Sequence, residues 1–353
     1  MVQQGAYPGP RAGLDIVIPN YNGRQFLETC LQSIFLQTFA SFQVIVVDNG
    51  SADGSVDFLQ ESYPSVKVIA LSENLGFSAA VNRGIAAGDS PLVFLLNNDT
   101  ELAPDCLERL LQAAEQHDDA FFAPKMLSFR EREILDGVGD GYLRGGVGYR
   151  LGTMERDSEV YSKERRVFGA CGGAALYRRL MLERLGLFDE DFFAYLEDVD
   201  LNFRANRAGL TCRCVPAARV YHIGSATTGS KINPFTVRLS TRNNLYLLLK
   251  NYRASMAFRF LPAIIVYQFF WLLFVIKKGQ FFSYCSGLIA FLRGARQVFR
   301  KRRTILAAPG ISERELRGRI LRAENDVVQS IMRRRESQGK GKGLLRLYAK
   351  IFL

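Results

Sequence analysis

The sequence lacks the short motifs that hold zinc through thiolates or that bind dinucleotides and triphosphates. Its six cysteines include no CxxC pair. Cys212 and Cys214 alternate across a predicted strand, so we expect reduced core thiols of a cytosolic protein and no zinc site. No GxGxxG follows the first predicted strand and no GxxxxGK(S/T) occurs anywhere, which disfavours a nicotinamide-dinucleotide site and a P-loop. Residues 1–11 contain no apolar run, and no secretory signal is expected.

Histidine is also scarce, with only two in 353 residues. His117 ends a polar helix, and we expect it to be solvated. His222 follows an apolar strand that starts at Val215. A lone histidine in such a place is more often structural than a metal ligand, and the ligand interpretation gains weight only beside a metal-binding carboxylate.

What the chain does contain is a series of apolar runs that end in polar residues. The clearest is Leu92–Leu96, five apolar residues that continue directly into Asn97, Asn98 and Asp99. Such a run is typical of a parallel strand buried on both faces, and open α/β sheets bind ligands at the carboxyl ends of their strands. The simpler interpretation is that residues 98–100 only cap the next helix.

Three similar strands, predicted over 15–19, 42–48 and 66–70, precede this one, and helices separate them. A polar residue or cluster follows every one of the four strands: Asn20, Asp48, Asn74, and Asn97 to Asp99. The pattern predicts a doubly wound α/β unit with its ligand at the C-terminal edge of the sheet. Turn chemistry alone also favours Asn and Asp at such positions.

The middle of the chain is less regular. We predict an amphipathic helix over 104–116 and a strand over 121–126. Residues 128–166 are polar and rich in glycine, which predicts a long mobile loop over a site. The small residues of 168–177 permit close approach of a ligand or of another strand.

A second group of carboxylates lies among aromatic residues in 188–201. Glu197 and Asp198 open a predicted helix that runs to Ala208. One interpretation is that these acids merely complement the helix dipole, and we expect Asp200 to do only that. Against it, the neighbouring aromatic rings of 192–195 would partly desolvate Glu197 and Asp198, and desolvation makes a carboxylate a better general base.

Taken together, these residues resemble a known family. The chain is similar to the inverting family 2 glycosyltransferases with the GT-A fold, and most similar to their rhamnosyltransferase-like branch, over about residues 15–252. The matching motifs, in order, are Ile18-Pro19-Asn20-Tyr21-Asn22, Val46-Val47-Asp48-Asn49-Gly50-Ser51, Glu73-Asn74-x-Gly76-Phe77, Leu96-Asn97-Asn98-Asp99, Gly172-Gly173, Tyr195-x-Glu197-Asp198-x-Asp200-Leu201-x-x-Arg204, and His222.

The resemblance implies a role for each matching residue. Asp48 would bond the nucleobase, and the other nucleotide-pocket residues would be Pro19, Asn20, Asn74, Asn97 and Asn98. Asp99 would be the metal-binding acid of a D-x-D motif whose first acid is here Asn97, and His222 would be a second ligand to Mg²⁺ or Mn²⁺. Asp198 would be the catalytic base. Residues expected near the sugar, the acceptor or a phosphate are Gly172, Gly173, Glu197 and Arg242.

These roles imply a metal-dependent inverting transferase. It would move a sugar, with dTDP-L-rhamnose favoured as the donor, to a hydroxyl of a glycan or polyprenyl-linked glycan in cell-surface polysaccharide synthesis. Two alternatives stay open: a weak or inactive carbohydrate- or nucleotide-binding relative, kept open by Asn97, and a nucleotidyltransferase.

The net charge of +11 belongs to the C-terminal segment alone. From Lys277 onward the chain has 19 Lys and Arg against 5 Asp and Glu, and the preceding residues have 27 against 30. Residues 260–276 are almost wholly apolar, at the lower length limit for a membrane span, and 281–292 form a second apolar run. Three interpretations stay open: an interfacial or re-entrant helical pair, one true span, or a buried or dimerising pair. The basic residues favour an anionic cytoplasmic leaflet over nucleic acid.

We therefore predict four regions. They are a flexible N-terminus (1–13), a GT-A domain (14–252), a hydrophobic helical membrane-associating segment (253–303) and a basic helical tail (304–353). The expected location is the cytoplasmic face of the inner or plasma membrane, peripheral or re-entrant. A homodimer is compatible with this prediction.

Overall fold

The computed structural model describes residues 13–224 and 232–353, so most of the predicted flexible N-terminus lies outside the described residues. The N-terminal part alternates strands and helices as predicted. Its elements are β1 (Leu14–Asn20), α1 (Arg24–Phe35), β2 (Phe42–Asp48), α2 (Ser55–Ser62), β3 (Lys67–Ala70), α3 (Phe77–Ala87) and β4 (Leu92–Leu96). The strands are parallel in the order β3-β2-β1-β4, and every residue of β4 is buried, as expected for a strand covered on both faces.

The sheet continues through the middle of the chain. The further elements are β5 (Thr100–Leu102), α4 (Cys106–Gln116), β6 (Phe121–Ser128), β7 (Leu135–Val138), β8 (Asp140–Leu143), β9 (Val147–Arg150), β10 (Arg165–Val167), β11 (Ala174–Arg178), α5 (Arg179–Leu185), α6 (Glu197–Arg207) and β12 (Cys212–His222). Beyond β4 the order is β11-β6-β12-β10, with β11 antiparallel to both neighbours. Short β5 pairs with the end of β12, so His222 lies opposite Thr100.

The prediction of a mobile loop over 128–166 was wrong. This region contains β7, the β8–β9 hairpin, a short helical turn and β10, and Tyr142 and Leu151 in it are almost fully buried. Gly139 and Gly146 occupy tight turns, with φ values of 78° and 86°, whereas Gly137, Gly141 and Gly148 lie within the short strands. The glycine-rich composition therefore belongs to tight turns and closely packed short strands.

Five helices complete the chain. They are α7 (Pro234–Asn251), α8 (Ala254–Lys277), α9 (Phe281–Ala307), α10 (Glu313–Ser337) and α11 (Gly343–Phe352). A capping box formed by Asn233 and Thr236 starts α7. The basic segment after residue 304 is helical as predicted, but α10 is also part of the core, because Ile320 and Val327 are fully buried. Val327 packs so closely on β8 that a Cβ at Gly141 would lie 2.4 Å from its Cγ2.

Helix α8 has the length and composition of a membrane span, with a mean hydropathy of 2.0 in its most apolar window and only 17% of that window buried. Its polar Gln268 and its Trp271 face α7, where they bond Asn244 and Thr241. Large apolar side chains cover the rest of its surface: Phe258, Leu261, Ile265, Phe269, Phe270 and Leu273. The helix is thus not buried within the described chain.

Candidate active site

The carboxyl ends of the parallel strands meet in one chain of hydrogen bonds. Asn98, after β4, donates to Asn20 Oδ1 at 2.6 Å, and Asn20 donates to Asp48 Oδ2 at 2.8 Å. The other oxygen of Asp48 accepts from the N–H of Ser51 at 2.9 Å. Because β2, β1 and β4 are adjacent, three predicted nucleotide-pocket residues that are far apart in the sequence lie side by side.

The loop after β3 joins this edge through asparagines. Asn74 Oδ1 accepts from Asn49 Nδ2 and from the N–H of Gly76, both at 2.9 Å. Pro19 lies on β1 in register with Val47 of β2. The structure thus places Pro19 and Asn74 at the predicted edge, and their contact with a nucleotide stays a prediction.

Asp99 and His222 are also adjacent. His222 Nε2 lies 3.3 Å from Asp99 Oδ1, and Asp99 Oδ2 accepts from the N–H of Gly224 at 3.2 Å. His222 Nδ1 lies 2.7 Å from Asp136 Oδ2. Burial lowers the pKa of His222, but the carboxylates of Asp136 and Asp99 outweigh it, so the net shift is upward.

This pair fits a hard divalent cation. His222 Nε2 is buried and has no hydrogen-bond partner among the described residues, although the Asp99 carboxylate is close to it. Carboxylate oxygen is a preferred ligand of Mg²⁺ and Mn²⁺, and a single imidazole nitrogen is compatible with an otherwise oxygen-rich set of ligands. Within 13–224 and 232–353, no group of three or more His, Cys, Asp or Glu side chains forms a complete set of ligands.

The predicted base lies next to the predicted glycine loop. Asp198 Oδ2 accepts from the N–H of Gly172 at 2.9 Å, and its Oδ1 accepts from the N–H of Val199 at 2.7 Å. The carbonyl of Gly173 accepts from the N–H of Asn97 at 2.9 Å. Two consecutive glycines therefore connect Asp198 to the end of β4, where the metal pair is located.

A strained turn presents Glu197 and Asp198 at the start of α6. Phe193, Tyr195 and Leu196 all have positive φ, between 63° and 70°, a conformation that costs free energy for residues with side chains. Asn243 stabilises the turn, since its Nδ2 donates to the carbonyls of Phe192, Ala194 and Tyr195 at 2.7–3.0 Å.

Arg242 and Glu197 flank this turn. Arg242 donates to the carbonyl of Phe192 at 2.7 Å and to Asn243 Oδ1 at 2.8 Å, so part of its guanidinium supports the turn. Glu197 is buried, and its Oε2 has no partner in the described chain. Burial, and then the nearby charge of Asp198, raise the pKa of Glu197.

The expectation that Asp200 only complements the helix dipole was wrong. Asp200 is fully buried and accepts from Arg204 Nε, Lys250 Nζ and Asn251 Nδ2, each at 2.8 Å. Burial by itself raises the pKa of Asp200, but Lys250 and then Arg204 outweigh it and lower the pKa. Asp200 joins α6 to α7 and so fixes the helix that carries Asp198.

Sequence reasoning missed three charged residues of this site, all in the supposed loop. Asp136 lies on β7, Asp140 on β8 and Arg150 on β9. Arg150 pairs with Asp136. Burial, and then the charge of Asp198, raise the pKa of Asp140 to about 8. The available signal was the presence of two acids only four residues apart within a glycine-rich segment.

Comparison with known proteins identifies the family. The model for glycosyl transferase family 2 matches residues 15–186. The N-acetylglucosaminyl-diphospho-decaprenol L-rhamnosyltransferase of Mycobacterium tuberculosis is 32% identical over 238 residues, which cover 61% of this chain and 78% of the relative. The chain belongs to glycosyl transferase family 2. It is an enzyme that transfers glycosyl groups, as its motifs predicted.

Two further comparisons extend this result, one on the family and one on the fold. An uncharacterized glycosyltransferase of Nostoc is 31% identical over 275 residues, covering 69% of this chain and 83% of the relative. The solved structure of GalNAc-T7 with UDP, GalNAc and Mn²⁺ superimposes with a TM-score of 0.57 at 16% identity, covering 68% of this chain and 48% of that one. The structural match shows the GT-A fold and confirms that prediction.

Proposed function

We propose that this family 2 enzyme is an inverting, divalent-metal-dependent transferase that uses a nucleoside-diphosphate sugar and acts on a lipid-linked glycan at a membrane surface. The observation that carries the proposal is the glycine link between the candidate base, Asp198, and the candidate metal pair, Asp99 and His222. Asp198 bonds Gly172, and the adjoining Gly173 bonds Asn97, two residues before Asp99. This link supports the proposal, because it joins the candidate base to the strand end that carries the candidate metal pair.

The nucleotide would bind along the strand ends. Asp48 keeps acceptor capacity beyond its bonds to Asn20 and Ser51, since a carboxylate accepts about four hydrogen bonds, and could take an N–H of the base. Asn74 and Asn98 would shape the pocket on either side. Asp99 and His222 would hold Mn²⁺ or Mg²⁺, with the remaining ligands coming from the diphosphate and water.

The chemistry is a single displacement. A bound divalent ion would neutralise the charge that develops on the departing diphosphate. Asp198 takes the proton of the acceptor hydroxyl, whose oxygen attacks the anomeric carbon from the face opposite the nucleoside diphosphate. The C–O bond to the diphosphate breaks as the new glycosidic bond forms, so the anomeric configuration inverts and no residue of the enzyme becomes covalently attached.

The donor and acceptor are proposed from the named relative. That protein is an L-rhamnosyltransferase acting on N-acetylglucosaminyl-diphospho-decaprenol. We extend this to dTDP-L-rhamnose as donor and a polyprenyl-diphosphate-linked sugar as acceptor. Family membership favours this over a nucleotidyltransferase, and the positions of Asp99, His222 and Asp198 favour it over an inactive relative.

The acceptor's lipid would bring the enzyme to a membrane. Helix α8 exposes Ile265 and Phe269 at 57% and 55%, and Phe282 of α9 is 85% exposed. Exposed basic residues follow the two apolar runs along the chain: Lys277 and Lys278 after the first, and Arg293 and Arg296 after the second. Apolar surface combined with positive charge suits an anionic leaflet, which supports peripheral or re-entrant binding on the cytoplasmic face.

Transfer of radiolabelled rhamnose from dTDP-L-rhamnose to N-acetylglucosaminyl-diphospho-polyprenol, with and without Mn²⁺, tests the activity. A metal-dependent product of inverted configuration supports the proposal. If the donor is neither transferred nor hydrolysed while other nucleotide-sugars are, the donor assignment fails. A thermal-shift screen over nucleotide-sugars with metal would then identify the donor, because a ligand that binds the folded state raises its apparent stability.

Flotation with vesicles tests the membrane surface. The enzyme should float with phosphatidylglycerol vesicles and less with phosphatidylcholine alone. Ile265→Glu with Phe269→Glu should abolish flotation, whereas Leu180→Glu, at a position on α5 that is 59% exposed, should not. A protein that stays at the bottom of the gradient and forms a dimer in solution would assign the apolar surface to a second copy instead.

A further inference from the structure

Asp136 contacts the imidazole that lies in the candidate metal pair. Its Oδ2 lies 2.7 Å from His222 Nδ1, and both side chains are largely buried, with exposed fractions of 15% and 5%. β7 and β12 both pair with β6, so the sheet itself brings the two residues together. Asp136 belongs to none of the motifs by which the sequence resembles the family.

This contact decides which nitrogen of His222 can accept a cation. A hydrogen bond from Nδ1 to a carboxylate places the ring proton on Nδ1 and leaves the lone pair on Nε2. Nε2 is the nitrogen that faces Asp99 and lacks a hydrogen-bond partner among the described residues. The free lone pair therefore lies on the side where Asp99 supplies a carboxylate.

Asp136 is itself held in place. Arg150, on β9, donates to the same Asp136 oxygen that contacts His222. Arg150 lies opposite Asp140 in the β8–β9 hairpin, and this pairing fixes the backbone from which its side chain reaches Asp136. The Asp136 carboxylate thus has a fixed position between the Arg150 guanidinium and the His222 imidazole. This arrangement suits a group that holds the imidazole in one orientation.

We infer that Asp136 is a positioning residue that fixes the Nδ1–H tautomer and ring orientation of His222, so that Nε2 and Asp99 together bind the divalent ion. The inference rests on the proposed function, because it presupposes a metal at this pair. It assigns a functional role to the β7–β9 layer, and it makes Asp136 and Arg150 part of the metal site.

The test is Mn²⁺ affinity, measured by electron paramagnetic resonance with and without dTDP. Asp136→Ala should raise the Mn²⁺ Kd by about 10- to 100-fold, the usual weight of a carboxylate behind a metal-bound histidine. Asp136→Asn, which keeps an acceptor oxygen, should have a smaller effect. Binding of dTDP without metal should not change in either variant.

Asp157→Ala is the matched control. Asp157 forms a two-pronged pair with Lys125 of β6, at 2.7 and 2.9 Å, near the same layer. The Asp157→Ala variant should bind Mn²⁺ with a Kd within about twofold of the wild-type value. If it weakens Mn²⁺ binding as much as Asp136→Ala does, the effect is one of layer packing, and the inference is wrong.

Nitrogen NMR of the metal-free protein gives a second readout that does not depend on binding. With His117→Gln present, His222 is the sole histidine. Well above neutral pH it should show the Nδ1–H tautomer, and Asp136→Asn, or Asp136→Ala where it folds, should shift it toward Nε2–H. A wild-type Nε2–H tautomer would overturn the inference. A wild type that shows Nδ1–H but binds no Mn²⁺ would instead refute the metal site of the proposed function.

Discussion

The backbone N–H of Gly172 donates to Asp198 Oδ2 at 2.9 Å, across 26 residues of sequence. With the N–H of Val199 bonded to Oδ1, each oxygen of the carboxylate accepts one backbone hydrogen bond. These bonds fix the direction of the carboxylate and still leave lone pairs for an acceptor hydroxyl. The geometry suits a base that must be oriented without being neutralised.

Replacing Asp198 by Asn should therefore separate catalysis from folding. We expect Asp198→Asn to fold normally, because the amide oxygen can still accept from Gly172, and to lose transfer by about 10²–10⁴-fold. Steady-state rates and thermal unfolding check both parts. Near-normal turnover by this variant would remove Asp198 from the mechanism.

The neighbouring acid should behave in the opposite way. Asp200→Asn removes the charge that Lys250 and Arg204 share in the interior, and breaking a buried ion cluster costs about 3–5 kcal/mol. We expect a clear fall in the free energy of unfolding, measured in urea. The folded fraction of Asp200→Asn should retain much more activity than Asp198→Asn. If the two variants were equally stable and lost the same activity, this division of roles would be contradicted.

Removing the proposed histidine ligand should raise the metal concentration that the enzyme requires. We expect His222→Ala to require a higher concentration of Mn²⁺ or Mg²⁺ for half-maximal transfer. Asp99→Asn should raise that concentration further, because it removes the negative charge that attracts the ion. A metal titration of each variant measures this. An unchanged titration curve for His222→Ala would make His222 a structural residue.

Acid should weaken the contact that Asp189, in the turn between α5 and α6, makes with helices α7 and α9. Burial raises the pKa of Asp189, but Lys250 and Lys301 outweigh it and hold the pKa below its usual range. The stabilisation is therefore complete above the unfolded-state pKa of about 3.9 and is lost as the pH falls through the depressed folded-state pKa. Melting temperature should fall between about pH 5 and pH 2.

The variant Asp189→Asn tests this cause. It should be less stable at neutral pH, because Lys250 and Lys301 lose a partner, and its melting temperature should depend less on acid than that of the wild type. Glu61→Gln, at an exposed position on α2, is the control and should leave the profile unchanged. An identical slope in Asp189→Asn and wild type would assign the acid sensitivity to other carboxylates.

The part of the site that follows the parallel strands could be predicted from the sequence. Asp48 ends β2 and Asp99 follows three residues after β4. Since the carboxyl ends of neighbouring parallel strands share one edge, the local pattern implied that the two acids lie close together. The helix that begins at Glu197 was also predictable from its acids and from Gly209 beyond its end, where φ is 86°.

The layer over residues 128–166 could not be predicted in the same way. Its strands are three or four residues long, too short for a period of two to stand out, and glycine weakens the strand signal further. Asp136 and Arg150 consequently looked like loop residues. The buried role of Asp200 was missed because Lys250 and Asn251, its partners, lie about fifty residues away.

The amino-acid sequence by itself determined the class of the protein: buried strands that end in Asp and Asn, two carboxylate motifs and a basic apolar C-terminal segment. Only the tertiary structure decided which charges share a site and which are structural. Strand pattern is set by neighbours along the chain, whereas the pairing of His222 with Asp136, and of Asp200 with Lys250, depends on how distant elements pack. Inside a protein that packing determines whether a carboxylate is a ligand, a base or a buried ion pair.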